Sequence, residues 1–117
     1  MKKFLIIVLF LFIADESDAQ FVTIPDTNFV NWLNNNGFSS CMNGNQMDTT
    51  CSQIITAVNL LISNTNIQDL TGIKYFKNLL FLYCYYNQLT FLPELPSLLK
   101  MLRCNNNQIT SVYNLPD

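Results

Sequence analysis

The side chains that could carry chemistry in this chain are few. Histidine is absent, which removes the usual general base, the commonest metal ligand and every Ser–His or Cys–His nucleophile. Paired-carboxylate hydrolysis needs two acids facing each other across about 5–10 Å. The acids here are scattered: Asp26 stands where a helix would begin, and Asp69 and Glu94 fall at unlike positions in turns. No glycine-rich phosphate loop and no zinc-ligand spacing occurs. Asn43–Asp48 offers oxygen ligands, but one carboxylate among amides is a poor calcium site, so the segment is expected to be a structural loop. No catalytic residue, metal ligand set or cofactor is therefore expected. A non-enzymatic chain is the expectation.

The four cysteines divide into two unlike pairs. Cys41 and Cys51 bracket a polar, Asn- and Gly-rich loop without strong secondary-structure signal, where a disulfide would stabilise the chain by about 3 kcal/mol through loop closure. A redox-active pair would have the close Cys-x-x-Cys spacing and basic neighbours, and neither is present. Cys84 and Cys104 lie in apolar stretches.

Lys2 and Lys3 precede an apolar run from Phe4 to Ala14 and a polar stretch with small residues at Ser17 and Ala19. That layout predicts a secretory signal peptide over 1–19, cut before Gln20, with a cut after Ala14 as the alternative. The apolar run is shorter than the roughly 20 residues a spanning helix needs, so the mature chain is expected to have no membrane-spanning segment and to be secreted or held at the cell surface. No cysteine just after the run points to a lipid anchor. Beyond residue 19 the basic residues are Lys74, Lys77, Lys100 and Arg103, and the acidic ones are Asp26, Asp48, Asp69, Glu94 and Asp117. This near-neutral balance offers no basic stripe for phosphates, so nucleic acid is not an expected partner.

The elements that would position these side chains are set by internal repetition. Leu79-x-x-Leu82-x-Cys84-x-x-Asn87-x-Leu89-x-x-Leu92 recurs twenty residues later as Leu99-x-x-Leu102-x-Cys104-x-x-Asn107-x-Ile109-x-x-Val112. A looser copy, Ala57-x-x-Leu60-x-Ile62-x-x-Thr65-x-Ile67-x-x-Leu70, precedes them by twenty-two. The Leu-x-Leu or Leu-x-Cys core predicts a short strand whose alternate side chains point inward. Asn87 and Asn107 then stand where the chain leaves the strand, and their amides can bond backbone groups of neighbouring copies in a ladder. Without such partners, buried backbone groups would cost about 1–3 kcal/mol each. Pro93, Pro96 and Pro116 keep the return path extended. Cys84 and Cys104 take the same inward position in adjacent copies. At about 4.8 Å between parallel strands their Cβ atoms exceed the usual 3.5–4.5 Å of a disulfide, which favours buried free thiols acting as small hydrophobes.

On these residues the chain resembles the leucine-rich repeat pattern in its short bacterial form, with Asn-Gln-Leu-Thr-Phe-Leu-Pro-Glu-Leu-Pro (87–96) carrying that likeness. Asp69-Leu70-Thr71-Gly72-Ile73 resembles the slightly longer repeats of internalin-like proteins. The resemblance covers about residues 54–117 and implies an α/β solenoid, curved, with short parallel β-strands on its concave side.

A solenoid would need a cap over its first coil, and residues 20–53 fit that role. Asp26 predicts the start of a helix running to about Asn36, with Phe29, Trp32 and Leu33 on one face and Gly37 as the stop. Ile24-Pro25-Asp26-Thr27-Asn28-Phe29 with Trp32-Leu33 also resembles the cap of secreted bacterial leucine-rich repeat proteins. The expected organisation is therefore a signal peptide, a helical cap closed by Cys41–Cys51, and about three repeats over 54–117.

Strand alternation places Asn59, Leu61 and Ser63, then Phe81, Tyr83 and Tyr85, then Met101, Arg103 and Asn105 on the outward face. Aromatics beside a methionine and an arginine have the composition of a binding hot spot, and the resemblance implies that the concave strands are the recognition surface. Recognition of a protein or glycan there is the expected function. The alternative is a structural spacer or adhesin stalk in which these side chains pack on one another. The chain halts at Asn114–Asp117 where the preceding copy runs on into another strand, which predicts either a fragment of a longer protein or a truncated product that pairs end to end.

Overall fold

The computed structural model describes residues 20–113 and Leu115. The expected signal peptide, Pro116 and the halted end lie outside the described residues. Two short helices and three small sheets surround one apolar core.

The N-terminal part begins with β1 (Phe21–Thr23) and α1 (Thr27–Asn35). Asp26 caps α1 in extended backbone, its carboxylate accepting from Phe29 N–H at 3.0 Å, which satisfies one of the orphan donors of the first turn. Phe29 and Leu33, one helical turn apart, are fully buried, and Gly37 at φ 93° takes the chain out of the helix. The loop between the cysteines, read from sequence as lacking secondary structure, contains a hairpin. Strands β2 (Met42–Asn43) and β3 (Gln46–Asp48) pair antiparallel, and β1 adds to the other edge of β3. Strands of two and three residues around Asn43-Gly44 are too short to show alternation, which is why the sequence hid them. Gly44 at φ 58° makes the turn. A disulfide joins Cys41 and Cys51, with Cα atoms 5.5 Å apart. The second helix, α2 (Ser52–Thr56), leads to β4 (Asn59–Leu61).

Strands β4, β5 (Phe81–Tyr83) and β7 (Met101–Arg103) form a parallel sheet with Leu60, Leu82 and Leu102 in register. Strands β6 (Phe91–Leu92) and β8 (Ser111–Val112) form a separate parallel pair.

This architecture corrects the expectation of an α/β solenoid. In a solenoid each unit repeats the same coil and touches only its neighbours. Here the molecule is a small globule of mixed antiparallel and parallel sheets, and the first return segment differs from the later ones. After β4 the chain turns at Gly72 into a 3-10 segment (Ile73–Tyr75), whereas after β5 it forms β6. Ile24, Phe29, Leu33 and Phe38 share one continuous core with Ile62, Ile73, Phe76, Leu82 and Leu92. Phe38 packs edge-on against Phe76, ring centroids 5.5 Å apart, a contact that no local periodicity could announce.

Candidate binding face

The outward face of the β4–β5–β7 sheet is built from the strand residues that alternate with the buried leucines. Asn59, Phe81 and Met101 stand side by side across the three strands, and Leu61, Tyr83 and Arg103 form the next row. Leu61 and Met101 are 58% and 39% exposed, and what sets them apart from isolated exposed apolar residues is that they flank the aromatics of β5 on one face. Phe81, Tyr83 and Tyr85 are half-buried rather than fully projecting, and Arg103 and Asn105 are exposed.

The side chains of this face engage one another. The Tyr83 hydroxyl donates to the Met101 sulfur at 3.7 Å, and the Arg103 guanidinium lies over the Tyr83 ring, 5.7 Å from its centroid, within cation–π range. Among the described residues Arg103 has no carboxylate partner, since the one ion pair is Lys74–Glu94 at 3.1 Å. That pair is exposed and away from the face; the hydrogen bond to Glu94 raises the Lys74 pKa above its ordinary value.

Sequence alternation stopped at Tyr85 and missed Tyr86. Its ring is 54% exposed and meets Tyr85 edge-on at 5.7 Å. The signal was available in the repeat: Asn64, Tyr86 and Asn106 hold equivalent positions, and all three adopt left-handed backbone, φ 58°, 53° and 57°. Asparagine tolerates that conformation, whereas a tyrosine there is strained, so its retention at the edge of an aromatic face is informative.

Beneath the face, two asparagines hold the strand ends. The Asn87 amide donates to Ile62 O at 2.7 Å and Cys84 O at 3.1 Å, and its oxygen accepts from Thr65 N and Ile67 N, both at 3.1 Å. Asn107 does the same one copy later, donating to Cys84 O and Cys104 O at 3.0 Å and accepting from Leu89 N at 2.9 Å. Cys84 and Cys104 are free thiols, the first buried and the second half-buried. Burial, reinforced by the neighbouring Cys104, pushes the Cys84 thiol up to about 12, so it is no nucleophile at neutral pH.

Elsewhere, the Asp48 carboxylate in the Asn43–Asp48 loop is engaged by Thr50, accepting from its N–H at 2.8 Å and its hydroxyl at 2.7 Å. No group of three or more potential metal ligands occurs among the described residues, and no helix among them is long and apolar enough to cross a membrane. A cleft of about 610 Å³ lies between Val22, Tyr75, Phe91, Leu92 and Tyr113; none of the face residues lines it. Compared with known proteins, the chain matches no family model, no curated protein and no solved structure.

Proposed function

We propose that the chain is a secreted or cell-surface binding module, akin to bacterial leucine-rich repeat proteins in its repeated motif, that recognises a protein through the outward face of the β4–β5–β7 sheet. The observation that carries this reading is the exposure of Leu61 and Met101 on either side of Phe81 and Tyr83. Apolar side chains left in water beside aromatics and an arginine without a carboxylate partner among the described residues form a patch whose burial by a partner is favourable. The disulfide Cys41–Cys51 supports an oxidising compartment. The absence of histidine supports a binding rather than a catalytic role.

The Tyr83–Met101 and Tyr83–Arg103 contacts favour a second reading, a structural spacer in which the face only packs on itself. The two readings part in one experiment. A photo-crosslinking residue at position 61 captures a discrete protein adduct under the binding reading, and Tyr83→Ala and Tyr85→Ala abolish that adduct while circular dichroism stays unchanged. Under the spacer reading no discrete adduct forms and the tyrosine substitutions are silent.

A further inference from the structure

A second concavity, of about 360 Å³, runs between α1 and the turn that follows β4. Its α1 wall is formed by Asn28, Asn31, Trp32 and Asn35, which are spaced i, i+3, i+4, i+7 and so form one stripe of the helix. The facing wall is Asn64, Thr65 and Asn66. Not one lining side chain is titratable, and α1 has no acidic residue in its first turn and no basic residue in its last.

The groove is held open by the protein's own bonds. Asn28 donates its amide to Asn66 O at 2.9 Å, and Asn36 donates to Trp32 O at 2.8 Å. Asp26 fixes the base of the facing wall by accepting from Gln68 N and Asp69 N at 2.8 and 3.0 Å. The side-chain carboxamides of Asn31, Asn35 and Asn64 make no hydrogen bond to the described residues and are left for solvent or a ligand. Asparagine is a poor helix former, yet four of the nine residues of α1 are asparagine. Three of these four, Asn28, Asn31 and Asn35, line the groove, so helix-unfavourable side chains are gathered on its wall, where a departure from local preference points to function.

We propose that this groove binds a neutral oligosaccharide. A planar carboxamide presents a donor and an acceptor in fixed relation, which matches vicinal hydroxyls. An indole offers a flat apolar surface to the C–H face of a pyranose while keeping a polar edge in water. Trp32 is half-buried and stacked on Phe38, centroids 5.9 Å apart, so its ring is fixed in place. The lack of charge in the lining disfavours anions and charged chain termini. The volume lies near the lower end of the about 300–1,000 Å³ of ligand pockets and suits a short glycan segment.

Trp32 is the sole tryptophan and lines this groove, so its fluorescence reports on it. The oxidised protein is titrated with cellohexaose, chitohexaose, mannohexaose and maltohexaose, and with oligogalacturonate as the anionic counterpart. The expected result is a saturable change in emission with at least one neutral oligosaccharide. The Asn31→Ala, Asn35→Ala double variant, with unchanged circular dichroism, should weaken that binding by about tenfold or more, the value of one or more hydrogen bonds. Should that variant fail to fold, Asn35→Asp, which keeps the shape and removes the donor, takes its place with the same expectation. A panel with no saturable change, affinity unaltered in the variant, or oligogalacturonate bound as tightly as the neutral sugars would each overturn the proposal.

Discussion

Asp26 and Gln68 are joined through a single carboxylate: one oxygen of Asp26 caps α1 at Phe29 N–H while the other accepts from Gln68 N at 2.8 Å and Asp69 N at 3.0 Å. One side chain therefore starts the helix and pins it to a turn more than forty residues away. Loss of the cap alone costs about 1 kcal/mol, and the two freed N–H groups add to it. Asp26→Ala should lower unfolding free energy by about 2 kcal/mol, seen as a lower urea midpoint with unchanged slope. An effect no larger than that of Thr27→Ala would show that the turn does not depend on the carboxylate.

Asn87 is the tighter of the two asparagine anchors. It is 7% exposed, and the groups it satisfies at Ile62 and Ile67 belong to fully buried residues. Truncation leaves those groups without partners at about 1–3 kcal/mol each. Asn87→Ala should cost about 3–5 kcal/mol, and Asn107→Ala about 1–2 kcal/mol, because Asn107 is half-buried and water can replace it. Asn87→Asp should fall near the alanine variant, since it removes the donor to Ile62 O. Equal destabilisation at the two positions would contradict the difference in burial.

How far the sequence revealed this arrangement depended on range. Helix α1 was legible because Asp26, Phe29, Leu33 and Gly37 are local signals with local causes. The in-register rows Phe81–Met101 and Tyr83–Arg103 were legible because strand alternation combined with a fixed offset leaves one face to each residue. The antiparallel sheet was not, since its strands of two and three residues give no period and no repeated copy marks them. The cap role expected of residues 20–53 already lays α1 over the first copy, but nothing in the neighbourhood of Phe38 says that it meets Phe76. The repeated motif suggested identical stacked coils, but between the anchors the chain takes whichever path buries its own side chains. Gly72 shows this. It stands at φ 108°, and a Cβ there would run into the Ile24 side chain, so the residue that follows β1 packs against the first return segment, a long-range contact that the repeat spacing does not announce.

Cys84 makes the alkaline limit of stability predictable. Its thiol is raised from 9.0 to about 12 in the folded protein, chiefly by burial. Below pH 9 both folded and unfolded states hold the proton, and the thiol contributes no pH dependence. Between pH 9 and about 12 the unfolded state releases the proton while the folded state keeps it, so stability falls as pH rises, by up to about 1.4 kcal/mol per unit. Cys84→Ala should lose core packing at neutral pH but show a shallower decline above pH 9 than the parent, in urea midpoints measured across that window. In thiol labelling of the native protein at pH 8, half-buried Cys104 should react first and Cys84 only on unfolding. Parallel alkaline slopes for parent and variant would mean that the Cys84 thiol is not held in its neutral form.

Tyr86 separates stability from recognition most directly. It occupies, in left-handed backbone at φ 53°, the position that Asn64 and Asn106 hold in the flanking copies, and a non-glycine, non-asparagine residue there is strained by about 1–2 kcal/mol. Its ring is more than half exposed and contacts only the edge of Tyr85 among the aromatics, so little packing offsets that strain. Tyr86→Asn should therefore stabilise the fold, by about 0.5–1 kcal/mol in urea denaturation, the range usual for relieving local backbone strain. If the aromatic face binds a partner, the same substitution should also reduce crosslinking from position 61, because it removes a projecting ring at the rim of the patch. A variant that is both more stable and weaker in binding would identify Tyr86 as a residue kept for recognition against the preference of the backbone. A variant that is more stable with crosslinking unchanged would confine the recognition surface to Phe81, Tyr83 and Tyr85, and one that is less stable would show that the Tyr85–Tyr86 contact outweighs the strain.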